Sequence, residues 1–110
     1  SARMIPEVLP AEVFAAQERG DELVIVDVRE ARELALVRLP GAIHIPLGQL
    51  SARANTELDP DARTIVMCHH GVRSLSGAAV LMGLGFEDVA SMKGGVDLWA
   101  RQVDPRVGRY

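Results

Sequence analysis

Apolar positions along this chain follow two rhythms. Residues 23–26 (LVIV) and 64–67 (TIVM) are unbroken apolar runs rich in β-branched side chains, the signature of strands covered on both faces. Residues 89–92 (VASM) predict a last strand, and residues 42–45 (AIHI) a short one between a Pro40-Gly41 turn and a break at Pro46. Between these runs the pattern turns helical. Residues 11–19 (AEVFAAQER) are good helix formers closed by Gly20, and residues 30–36 and 47–54 predict two brief helices. Leu75, Ala78, Ala79 and Met82 recur at i, i+3, i+4 and i+7, predicting one apolar helix face that Gly83 and Gly85 terminate. Residues 94–102 (GGVDLWARQ) predict a last helix with Trp99 turned inward, and Phe86 is expected in the core.

Strands alternating with helices predict an α/β fold, a parallel sheet flanked by helices on both faces. With 110 residues the chain suits one small domain with a single core. The domain is expected over residues 4–104, with residues 105–110 as an exposed strap or frayed end. Ser1 to Arg3, ahead of Met4, read as an added segment or the join to a longer chain. In such folds ligands sit outside the carboxyl ends of the strands, so the loop after residues 64–67 draws attention first.

Composition narrows the partners. A formal charge of −3 and a pI near 5.5 give no electrostatic reason to expect nucleic acid. No apolar run is long enough to span a bilayer and a secretory signal is not expected from the first residues given, so a membrane partner is not expected. One cysteine permits no internal disulfide and suits a reducing compartment, here the cytoplasm.

That cysteine sits in CHHGVRS, residues 68–74. If a buried strand ends at Met67 and a helix starts near Ser74, the intervening residues wrap a helix N-terminus whose unpaired amides point outward. Gly71 lets successive amides converge on one point, and Cys68 opens the resulting cup. Amide dipoles, Arg73 and a protonated His69 or His70 favour the negative form of a sulfur placed there, which is then a nucleophile for an anionic electrophile. Two chemistries fit: phosphate-ester hydrolysis through a phosphocysteine, and sulfur transfer through a cysteine persulfide.

Taken with DVRE at 27–30, LPGAIHIP at 39–46, LGF at 84–86 and KGGVDLW at 93–99, the cysteine loop resembles the rhodanese-like domain family in five successive signatures. Val37-Arg38 stand where that family often has Gly-His. The resemblance implies a small α/β domain and, because Cys68 to Arg73 spans six residues where phosphatase relatives have one more, a sulfurtransferase of the thiosulfate type. It implies Cys68 as catalytic sulfur carrier, His69, His70, Gly71, Val72 and Arg73 as substrate-binding, and no cofactor. A small anionic donor such as thiosulfate would supply the sulfur, and cyanide, a thiol or a protein would accept it. The alternatives are a sulfur-relay or regulatory binding module acting between proteins and, further off, a cysteine-dependent phosphatase or arsenate-handling enzyme.

Duller readings compete at each position. Cys68 alone is a small buried hydrophobe, and the imidazoles of His69 and His70 read equally as loop polarity or as substrate contacts. A metal site is not expected, since adjacent residues rarely converge on one ion and His44 is the sole remaining histidine. Arg73 lies at the helix end a cation disfavours, which points to an anion contact. Asp27 and Arg29 are expected to orient neighbouring loops, because a carboxylate beside the cup opposes a negative sulfur.

Overall fold

The computed structural model describes residues 4–110; the segment Ser1 to Arg3 lies outside the described residues. Five strands form one parallel sheet: β1 (Glu7–Val8), β2 (Val24–Asp27), β3 (Ile43–His44), β4 (Thr64–Met67) and β5 (Val89–Met92), in the order β1-β5-β4-β2-β3. The helices are α1 (Pro10–Glu18), α2 (Ala31–Leu36), α3 (Leu47–Glu57), α4 (Arg73–Gly83) and α5 (Gly95–Gln102), followed by a 3₁₀ turn at Pro105–Val107. No helix among the described residues is long and apolar enough to cross a membrane.

The unbroken apolar runs are central strands because both of their faces are covered. Val66 and Cys68 pack with Val26, Leu50, Ala78, Leu81 and Phe86. Ile65 and Met67 pack on the opposite side with Val13, Ile25, Met92 and Trp99. The two-residue period of a strand therefore sends Cys68 to the α3 and α4 side of the sheet. β2 and β4 pair from Val24↔Thr64 to Asp27↔Met67, so their carboxyl ends finish level. The chain leaves β2 for β3 on one side, while β4 leads to β5 on the other, and that divergence opens the crevice in which loops collect.

The structure corrects three expectations. β1 is an added edge strand, too short to stand out in the sequence and held by pairing with Ser91 and Met92. α3 runs three residues past Ala54, because Leu50, Ala54 and Leu58 share one buried face. The inward face of α4 is centred on Ser74, Gly77, Ala78 and Leu81, and Ala79 is exposed. Gly77 lets this helix lie close to the sheet, since a Cβ there would stand 2.9 Å from Val66 Cγ1. Of the two readings of residues 105–110, the structure shows the strap: the tail folds back over the carboxyl ends of the strands, with Arg109 paired to Asp97 at 2.8 Å.

Candidate functional site

Cys68 leaves β4 just where the strand ends, and its Sγ is met by backbone from the following loop. The amide of Gly71 donates to Sγ at 3.1 Å and that of Ser74 at 3.3 Å. The Ser74 hydroxyl lies 3.4 Å from the sulfur and 2.7 Å from that of Ser91 on β5. Ser74 stands in the first turn of α4, so the positive end of that helix faces the sulfur. Gly71 has φ +96°, and a Cβ there would stand 2.8 Å from the Gly94 nitrogen. Only glycine fits both the conformation and the space.

A second loop holds the first in shape. Gly95, at φ +61°, runs so close that a Cβ would collide with the carbonyls of Cys68 and His69. The amides of Val96 and Asp97 donate to those same carbonyls at 2.9 and 3.2 Å. Tying the carbonyls to α5 turns them away from the cup and leaves the following amides for the sulfur.

Two features differ from the sequence-based picture. The cup is not open: Cys68 is 1% exposed and belongs to the core, because its side chain follows Val66 into the α3 and α4 side and the loop closes over it. Nor is His69 a standing cation. Burial, with repulsion from His70, pushes its pKa down, and its ring is stacked with His70 and with Tyr110, both at centroid distances of 3.8 Å. His69 Nε2 lies 2.9 Å from the main-chain oxygen of Tyr110, so the neutral ring donates from Nε2.

Arg73 lies at the rim with its guanidinium engaged. It donates to Glu33 through two bonds of 2.6 and 2.8 Å, an ion pair whose side chains are 37% and 12% exposed. Arg73 and a phenol donated by Tyr110 at 2.6 Å hold the Glu33 carboxyl far below the usual carboxylate range. The same phenol accepts from Arg29 at 2.9 Å. Arg29 is fully buried, grips Asp27 at 2.7 Å and donates to the Val37 carbonyl at 2.9 Å. His44 closes the set, its Nε2 lying 2.7 Å from the Arg29 carbonyl oxygen. Asp27 and Arg29 thus orient loops.

His70 and Val72 are exposed, and the Sγ contacts come from Gly71 and from Ser74, which the sequence reading left out of the site. Glu33 and Tyr110 were also missed. No local pattern points to either, since Glu33 meets Arg73 across 40 positions of chain and Tyr110 meets Glu33 across 77. One ligand atom each from His69, His70 and Asp97 fall within 4.8 Å of one another. A metal ion there would have to displace Arg109 from Asp97 and crowd His69 between its stacking partners.

Residues 9–102 match the family model described as the rhodanese-like domain. The chain is 40% identical over 90 residues to the thiosulfate sulfurtransferase GlpE of Pseudomonas fluorescens, covering 82% of this chain and 80% of that one. It is 36% identical over 105 residues to the putative sulfur carrier protein YrkF of Bacillus subtilis, covering 94% of this chain and 56% of that protein. Among solved structures, the rhodanese-like domain of the Anabaena Alr3790 protein superposes with a TM-score of 0.81 at 25% identity, over 89% of this chain and 75% of that one.

Proposed function

Because the chain belongs to the rhodanese-like domain family, we propose that it is a sulfurtransferase of the thiosulfate type, with Cys68 as the atom that takes and gives sulfur. The observation that supports this most directly is the convergence of the Gly71 and Ser74 amides on Sγ. Fixed donors aimed at one sulfur stabilise negative charge there without reorganisation. The Cys68 thiolate attacks the outer sulfur of thiosulfate, the bond between the two sulfurs breaks, and sulfite leaves with the electron pair. The persulfide left on Cys68 keeps one negative charge at its outer sulfur, next to the amides of the 69–73 loop. A nucleophile then attacks that outer sulfur; with cyanide, thiocyanate departs and the thiolate is restored. The donor reaches Sγ through the rim from His70 to Arg73, where Val72 is 74% exposed, and that rim must yield because Cys68 is 1% exposed.

The test is to incubate the protein with thiosulfate and weigh it. A gain of one sulfur atom, removed by cyanide and absent in Cys68→Ser, is the expected result; unchanged mass in the parent protein would falsify the reading. A relay between proteins is the second reading, favoured by the burial of Cys68 and by the relative named as a sulfur carrier. It predicts sulfur gain only from a persulfide-bearing protein.

A further inference from the structure

The site contains a charge that sulfur transfer does not call for. Glu33 lies on α2, outside the cysteine loop, and both of its oxygens face the rim: Oε1 takes Arg73 at 2.6 Å and the Glu30 amide at 3.1 Å, while Oε2 takes Arg73 at 2.8 Å and the Tyr110 phenol at 2.6 Å. Four donors fix this carboxylate in its ionised form. The cation supplied by the loop is therefore neutralised at the point where an anionic donor arrives. Arg109 is paired with Asp97, Arg29 is buried against Asp27, and His69 is neutral. Beside Glu33, with Arg32, Leu36, His69 and Tyr110, lies an open depression of about 530 Å³ whose walls are mainly side-chain carbon and rings. Of the neighbouring cations, the exposed Arg32 alone has no carboxylate partner among the described residues, and it stands in the wall of this depression, of which Arg73 is not part.

We infer that Glu33, by occupying Arg73 and placing its own negative charge at the rim, is a specificity-determining residue that favours sulfur donors of low charge with an organic body over dianions. The inference rests on the sulfurtransferase reading and deepens it. Thiosulfate carries two negative charges, whereas an organic thiosulfonate, R–SO₂–S⁻, carries one and undergoes the same step. The Cys68 thiolate attacks the terminal sulfur, the bond between the sulfurs breaks, and the sulfinate RSO₂⁻ leaves with the pair. Charge balances in both cases, so a difference between the two donors reports the field at the rim and the fit of R in the depression.

The experiment compares kcat/KM for thiosulfate and for benzenethiosulfonate, with cyanide as acceptor, in the parent protein, Glu33→Gln and Glu33→Asp. Removing one unit charge acts twice as strongly on a dianion as on a monoanion. Glu33→Gln is expected to raise the ratio of thiosulfate to benzenethiosulfonate on the order of tenfold, with the gain shrinking at high salt. Glu33→Asp, which keeps the charge, is expected to hold the ratio within about threefold of the parent. A merely structural role lowers both donors together and leaves the ratio unchanged; that result, or a ratio that falls, overturns the inference while leaving sulfur transfer intact. Absence of transfer from both donors in the parent overturns the sulfurtransferase reading and this inference with it.

Discussion

Two arginine–carboxylate pairs meet at the phenol of Tyr110, and they do different work. Arg29 and Asp27 are joined at 2.7 Å with side chains 0% and 2% exposed, while Arg73 and Glu33 are joined at 2.6 Å with side chains 37% and 12% exposed. The bond lengths are nearly equal, so the environment makes the difference. Arg29 sits where water cannot follow, and its remaining donors are taken by the Val37 carbonyl and by Tyr110. It acts as an internal strut between the end of β2, the turn after α2 and the tail. Arg73 stands at the rim, where solvent weakens the pair and an arriving anion can compete for the guanidinium. A pair of the same chemistry is scaffold in one place and an adjustable charge in the other.

The largest expected effect breaks this contrast at its buried side. Arg29→Ala leaves Asp27 without its cation and the Val37 carbonyl without a donor, and loss of one partner of a buried pair costs about 3–5 kcal/mol. Arg73→Ala, whose own side chain stands at the rim and whose loss leaves Glu33 with the Tyr110 phenol and the Glu30 amide, is expected to cost less, about 1–2 kcal/mol. Urea unfolding of the two variants measures both. Equal losses would show that the rim pair is as structural as the buried one.

Acid and salt sharpen the contrast. The Glu33 carboxyl is held far below the ordinary carboxylate pKa, chiefly by Arg73. A depressed carboxylate contributes stability that is fully present above its unfolded pKa and is lost as pH falls through the folded value. Between neutral pH and pH 3 the parent protein is therefore expected to lose more stability than Glu33→Gln. That difference should narrow at about 1 M salt, where the Debye length is roughly 3 Å. Stability measured at several pH values in low and high salt tests this, and equal pH slopes for the two proteins would contradict it.

How much of this was legible depended on how far apart the interacting residues lie in the chain. β5 is legible at its observed bounds although Ser91 interrupts its apolar pattern, and β4 is legible at its own because its burial is written locally, as a continuous run rich in β-branched residues. Cys68 and Gly71 were legible for the same reason, since a strand, a glycine and a helix start stand within a few residues. The face of α4 was misread because two of its inward residues, Ser74 and Gly77, are small rather than apolar. Residues such as these pack against a sheet without producing a hydrophobic period. Glu33 and Tyr110 escaped because their contacts join residues 40 to 81 positions apart. The tail in particular reads as polar and Pro-Gly punctuated, and only the assembled strand ends give Tyr110 something to cover.

The smallest expected effect tests whether the two pairs are independent at all. Tyr110→Phe keeps a ring to stack on His69, at the observed 3.8 Å and 4°, and removes only the hydroxyl between Arg29 and Glu33. Arg29 retains Asp27 and Val37, and Glu33 retains Arg73 and the Glu30 amide. The expected cost is that of one or two hydrogen bonds between partners that remain engaged elsewhere, about 1 kcal/mol. Tyr110→Ala, which also gives up the stack, is expected to cost more and to change the reactivity of Cys68 toward thiosulfate through the His69 loop. If Tyr110→Phe proves as damaging as Arg29→Ala in the same urea titration, the phenol couples the pairs into one unit, and the separation of scaffold from adjustable charge fails.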